Sequence, residues 1–309
     1  MEAWPGPGGP LPTSPRLRPW PVTAGPIPAM TEFVLANEAP IRLGFFGAIL
    51  IAVALAEFAM PRRARAFSRC RRWPSNFGLM IVNTVVLRFV FPTAAVGMAA
   101  FAAAHGWGLL NVVALPGSVT LVASLLALDF IIYFQHVLFH AVPVLWRLHR
   151  MHHTDLDFDV TTGTRFHPVE ILLSMVIKLG AIAALGAPVV AVIVFEVVLN
   201  GTAMFNHGNF RIPVAFDRVL RWFVVTPDMH RVHHSIVVRE TNSNFGFNVP
   251  WWDRLLGTYR SQPEAGHEAM TIGIEQFREP RDLDLDRLLV QPLRGGPGPY
   301  AINRPQAGP

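Results

Sequence analysis

Four stretches of this chain concentrate histidine: "QHVLFH" at 135–140, "LHRMHHTD" at 148–155, "FNHGNF" at 205–210 and "MHRVHHS" at 229–235. Neutral imidazole is the commonest metal-binding side chain and suits iron, zinc and copper alike. A helix turns by about 100° per residue, so positions i, i+3 and i+4 share a face. His149, His152 and His153 therefore project to one side, and His230, His233 and His234 repeat the arrangement. His136 and His140 lie one turn apart. Eight imidazoles set as one pair and two triplets suffice for two metal ions. Lone histidines read differently: His105, at a span end, as interfacial, and His267, in "EAGHEAM", as solvated. Chance rarely repeats H-x-x-H-H in 309 residues that hold only twelve histidines.

Other polar residues sit where they would support such a cage. Asp129, Tyr133, His136 and His140 fall at i, i+4, i+7 and i+11, so one helix face presents all four. Ligating histidines commonly give their second N–H to a carboxylate or carbonyl. An aspartate inside a hydrocarbon run is costly and is a functional hypothesis by default. Asp129, with Tyr133, is thus expected to back the histidines. Glu196, Asn200 and His207 follow a similar spacing and are read as ligands or their supports. "RFHPVE", 165–170, is a helix start: Glu170 caps it, and His167 either orients a ligand or is one. Asp155, Asp157 and Asp228 either balance the metals' charge or are solvated loop charges.

The elements that carry these residues are helices in a membrane. Apolar residues make up 51% and charged residues 15%, with mean hydropathy +0.36, and several apolar runs are long enough to cross a bilayer. Candidate spans cover 43–60, 77–104 and 118–142, the last stopped by Pro143. Residues 169–205 read as a hairpin of two helices hinged at Gly186-Ala187-Pro188, because that tripeptide is a poor helix interior. The alternative, one long span, would separate His207 from His149–His153. Residues 211–290 turn more polar and read as a cap. "PRRARAFSRCRR", with six arginines in twelve residues, assigns its side of the membrane, and the cap, to the cytoplasm. The expected fold is all-α: a multi-pass transmembrane bundle, residues 41–290, with a cytoplasmic histidine-rich cap.

Residues 1–40 and 291–309 are rich in proline and glycine and read as a disordered arm and tail. Cys70 is the only cysteine, which excludes a disulfide framework and a thiolate metal cluster. The net charge of +5 and pI near 10.3 come from arginine, since Lys178 is the only lysine. No cationic stripe interleaved with aromatics is present, so nucleic acid is not an expected partner.

The order "DFIIYFQHVLFH", "LWRLHRMHH", "TGTRFHPVE", "FNHGNF", "TPDMHRVHHS" and "NFGFNVPWWDRLLGTY" resembles the fatty acid hydroxylase/sterol desaturase superfamily, over roughly residues 115–260. The resemblance implies a membrane di-iron oxygenase that hydroxylates or desaturates unactivated C–H positions of lipids or sterols. It implies two iron ions as cofactor and dioxygen as co-substrate. As metal ligands it implies His136 and His140; His149, His152 and His153; His207; and His230, His233 and His234. Some members carry a further histidine four residues before the counterpart of His207; here Ala203 stands there, and His167 or a water is expected to fill the place. Asn244, Trp252, Asp253 and Tyr259 match the C-terminal signature and read as structural.

An apolar substrate would enter from the bilayer, with Phe130, Phe134 and Phe139 lining its path or simply packing. No dinucleotide-binding G-x-G-x-x-G or fused cytochrome-like domain is found, so an external ferredoxin- or cytochrome-type electron donor is expected. Arg62–Arg72 either dock such a donor or merely set topology. The expected location is a bacterial inner membrane. The rival reading is a non-catalytic metal-binding or metal-transporting membrane protein, which would spread polar ligands through the bilayer depth instead of collecting them at one boundary.

Overall fold

The computed structural model describes residues 32–33 and 36–303, so most of the N-terminal arm read from the sequence lies outside the described residues. Among these residues the chain is helical, and extended pairing is limited to two isolated bridges, Pro61 with Phe210 and Ser235 with Ile272. Five stretches are long and apolar enough to cross a membrane. The first is α1 (Glu38–Ala59). The second stretch comprises α2 (Arg69–Val90) and α3 (Ala94–His105) and extends to Val112. It starts earlier than the expected 77–104 and is not continuous. Pro92 has no N–H to donate and disfavours helical geometry at Phe91, so the helix breaks at 91–93. The third crossing is α4 (Gly117–Ala141), which ends before the extended Val142 and Pro143.

Residues 168–206 form two helices, α6 (Pro168–Leu185) and α7 (Val189–Asn206); α5 (Pro143–His153) lies between α4 and α6. Gly186 ends α6 in the left-handed region at φ +68°, where a glycine carries no Cβ penalty. The hinge is also crowded. A Cβ on Gly186 would fall 2.7 Å from the Trp107 carbonyl oxygen, and one on Gly108 would fall 2.0 Å from the Gly186 nitrogen. The turn of this hairpin therefore touches the loop that joins α3 to α4. Both lie at one end of the bundle, and the histidines lie at the other.

The core joins α3, α4, α6 and α7. Ala95 and Ala99 of α3 pack with Leu128, Ile132, Met175, Ile182, Val192 and Phe195. Alanines one turn apart let helices approach closely, which matters where the solvent is as apolar as the side chains. A second cluster unites Trp146 of α5 with Ile274, Tyr300 and Ala301. This corrects the reading of a loose tail from residue 291. The Ile302 and Asn303 N–H groups donate to the His140 and Ala141 carbonyls at 2.9 and 3.1 Å, and Tyr300 is fully buried. Proline and glycine made this segment look unstructured, but buried Arg150 donates to its Gln291, Arg294 and Gly296 carbonyls.

Candidate metal centre

His136 and His140 sit one turn apart near the end of α4. Pro143 starts α5 at the position where a missing N–H costs least, and α5 carries the first triplet in its last turns. His207 caps α7. The helix α9 (Pro227–His233) also starts on proline, its Thr226 hydroxyl accepting from the Met229 N–H, and it delivers the second triplet; α8 (Val214–Leu220) precedes it. All nine imidazoles are buried.

They converge as two groups. His136, His140, His149, His153 and His233 form one, and His152, His207, His230 and His234 form the other; within each, the ligand atoms lie within 4.8 Å of one another. Each triplet is thus divided between the groups. His149 Nε2 lies 3.1 Å from that of His136 and 3.2 Å from that of His153. His207 Nε2 lies 3.1, 3.2 and 3.2 Å from those of His152, His234 and His230.

The His136–His149 and His152–His207 approaches are not hydrogen bonds, because in all four rings the proton is on Nδ1. Nδ1 of His136, His152, His207 and His233 donates to the carbonyls of Phe245, Arg165, Ala203 and Ser243 at 2.6–3.1 Å. A carbonyl only accepts, so Nδ1 carries the proton and Nε2 is a bare lone pair. His140 Nδ1 donates to Asn242 Oδ1 at 3.0 Å, and the Asn242 amide is fixed by its own bond to the Tyr300 carbonyl. His149 Nδ1 donates to Glu170 Oε1 at 2.6 Å. Nε2 of His140 and His233 has no hydrogen-bond partner although it is buried.

A second proton on these rings is disfavoured. Burial, then the neighbouring imidazoles, holds His152, His153, His230, His233 and His234 well below the usual histidine value. Burial also brings His207 down to about 4. Neutral lone pairs packed face to face repel, and a cation between them removes the repulsion. An ion about 2.1 Å from each nitrogen sets neighbouring nitrogens about 3.0–3.4 Å apart, which matches the spacings here. The residues fit one metal in each group.

Around the cage lies a shell of paired charges. Arg72 donates to Asp155 at 2.6 and 2.8 Å and to Asp159 at 2.6 Å, all three fully buried. Burial alone would raise the Asp155 carboxyl, but Arg72 and Arg165 outweigh it and hold it at about 2. Asp157 accepts from the Ala66 and Phe67 N–H groups, and Asp228 pairs with Arg62 and Arg231. These aspartates are neither solvated nor bonded to a cage histidine. His267, expected to be solvated, is buried 3.6 Å from Asp228.

Several expected supports are elsewhere. Asp129 accepts from Trp252 Nε1 at 2.8 Å, and the Tyr133 hydroxyl meets Thr258 Oγ1 at 2.9 Å; neither contacts a histidine of the cage by hydrogen bond. Glu196 pairs with Lys178 and Arg42, because three membrane helices bring these charges together. Asn200 is exposed and donates to the Glu196 carbonyl of its own helix. His167 accepts from the Val169 N–H as a helix cap and bonds the Leu289 carbonyl, so it does not take the place left by Ala203. Glu170, read from the sequence as a cap, is instead the carboxylate that orients His149. The 243 and 245 carbonyls carried no sequence signal, since backbone acceptors are independent of residue type, and the side chain of Asn242 is not among the supports read from the sequence.

The geometry defines a membrane helical protein with a buried cluster of histidines that could hold metal. The fatty acid hydroxylase family model matches residues 121–258, which include every histidine of the cage, and over these residues the chain resembles that family. Relatives include the ornithine lipid hydroxylase OlsE of Rhizobium tropici, 32% identical over 148 residues, which are 48% of this chain and 44% of the relative. The alkylglycerol monooxygenase of Xenopus tropicalis is 25% identical over 172 residues, 54% of this chain and 36% of the relative. The cholesterol 25-hydroxylase of Rattus norvegicus is 30% identical over 145 residues, 46% and 47%. Each match spans less than half of the relative's length. No solved structure matches the chain.

Proposed function

We propose that this protein is an integral membrane lipid hydroxylase that inserts oxygen from dioxygen at an unactivated C–H position, with two irons held by the nine imidazoles. The single observation that carries the reading is that each group holds a pair of bare Nε2 lone pairs facing one another, His136 with His149 and His152 with His207, among further buried imidazoles. When bound, an iron pair supplies the redox chemistry that activates dioxygen and breaks a C–H bond, which no acid or base side chain can do. The protein's part is position. The carbonyls of Arg165, Ala203, Ser243 and Phe245, with Asn242 and Glu170, fix six rings in one tautomer. The family and the named lipid and sterol oxygenases among the relatives support a lipid or sterol substrate. Exposed Phe130 and Phe134 on α4 favour approach from the bilayer, whereas Phe139 is buried beside His149.

Electrons come from an external ferredoxin- or cytochrome-type donor in this reading. Much of the arginine-rich loop is occupied internally, Arg69 by Glu57 and Arg72 by Asp155 and Asp159, which weakens donor docking there and leaves topology as the better account. The same arginines favour a cytoplasmic metal centre in a bacterial inner membrane. Collection of all nine histidines at one end of the bundle disfavours metal transport. Comparative lipid profiling of cells with and without the chain tests the proposal. A lipid gaining one oxygen only when the intact chain is present supports hydroxylation; loss of two hydrogens would make it a desaturase, and an unchanged profile in cells that load the metals would refute it.

A further inference from the structure

Helix α8 is built inside out for a helix in water. Its ion pair, Asp217 with Arg221, faces the protein, and each residue is only 6% exposed. Its outer side shows Val214, Phe216 and Val219, exposed by 72, 62 and 59%, and the chain continues with exposed Trp222 and Phe223. A water-facing surface helix has the opposite arrangement. A second apolar segment adjoins it. The helix α10 (Trp251–Leu255) is joined to it by Trp251 Nε1, which donates to the Trp222 carbonyl at 2.7 Å, and Leu255 and Leu256 point outward. The Arg254 guanidinium is sandwiched, 3.9 Å from the Trp222 ring centroid and 4.0 Å from that of Tyr259.

A hydrogen bond fixes how deep this second segment lies. Trp252 Nε1 is bound to Asp129, which stands twelve residues from both Gly117 and Ala141, the ends of α4. At about 1.5 Å per residue this is about 18 Å from either end, the middle of a membrane-crossing helix. The Phe130 and Trp252 rings pack edge to face at 5.0 Å. The outer surface of 251–256 is therefore continuous with the exposed Phe130 and Phe134 of α4. At the other edge, the Arg211 N–H donates to the Met60 carbonyl at the end of α1, so the approach to α8 starts at a span boundary.

We propose that residues 214–223 and 251–256 form one lipid-embedded face, whose partner is the bilayer leaflet on the histidine side, from the headgroup boundary at 214–223 down to the acyl chains at 251–256. Part of the cap is a wedge in the membrane instead of a cover above it. Amphipathic surfaces with aromatic and aliphatic residues outward and arginines at the rim bind such a boundary. Exposed Arg218 suits the anionic headgroups above it, while the Arg254 guanidinium is sheltered between the Trp222 and Tyr259 rings. The inference is independent of the chemistry at the metal centre.

The test uses the full chain in vesicles, with Cys70→Ser as background and single cysteines at Leu255→Cys, Phe223→Cys and, as a water-facing control, Arg239→Cys, each carrying a small fluorophore. Metal content equal to that of the parent certifies folding, and Phe216→Cys replaces any site that fails this check. Lipids brominated on the acyl chains are expected to remove most of the emission at 255 and 223 and little at 239, with aqueous iodide doing the reverse. Iodide quenching at 255 and 223 would overturn the proposal. So would protection from both quenchers with disulfide cross-linking between copies, which would make a second chain the occupant.

Discussion

Two buried polar regions lie side by side at one end of this bundle, and they are satisfied in different ways. The shell of Arg72, Asp155, Asp159, Arg165 and Thr162 is closed upon itself, each carboxylate meeting a guanidinium, hydroxyl or backbone N–H. The cage holds nine buried rings whose Nε2 atoms meet only one another or nothing. Burying a polar group without a partner costs about 1–3 kcal/mol, and a cluster of such groups is untenable without a cation. The comparison teaches where to look for chemistry in a charged interior: the completed ion pairs hold the fold, and the unsatisfied acceptors mark the ligand.

Removing members of each region sharpens that distinction. His233→Ala is expected to abolish turnover and empty the five-histidine group; full oxygen uptake with lipid would contradict this. Arg72→Leu strands two buried carboxylates and is expected to destabilise the fold by about 3–5 kcal/mol, read as a lowered Tm. A Tm near that of the parent would mean that the shell is dispensable. Glu170→Ala removes the acceptor of His149 and is expected to weaken metal affinity or activity by about 10–100-fold, the range for such supports, with Glu170→Gln restoring part of it. Equal loss in both variants would point to charge instead of orientation.

Acid acts most gradually. Burial holds His152, His153, His230, His233 and His234 below the usual 6.5 in the folded chain, and His207 at about 4. Between those values the unfolded chain binds more protons than the folded one, so stability falls as pH drops through this window and is regained on raising it. Thermal melts of metal-free protein at pH 7 and pH 5 should show the lower Tm at pH 5, and a higher one would reverse the assignment.

The histidine spacing made the cage legible, since positions i, i+3 and i+4 must share a helix face. It did not reveal the division within each triplet. His149 and His153 join His136, His140 and His233, while His152 turns to His207, His230 and His234. Two short helices turn their rings toward one another and interleave them, which no single helix predicts. Asp129 was legible as a costly residue, but its partner, Trp252, comes from 123 positions away, and a depth inside the membrane is not written in local pattern. Glu170 had the composition of a helix cap and the position of one; only the packing of α5 against α6 turned it toward His149. Glu196 looked equivalent on its helix, yet Arg42 and Lys178 from neighbouring helices claim it.

The most direct test is metal stoichiometry of the purified full chain by mass spectrometry, beside His207→Ala and an exposed control, His105→Ala. Two irons per chain in the parent and the control, and one in His207→Ala, is the result expected of two separate groups sharing no ring. A single iron in the parent, or two retained in His207→Ala, would contradict it.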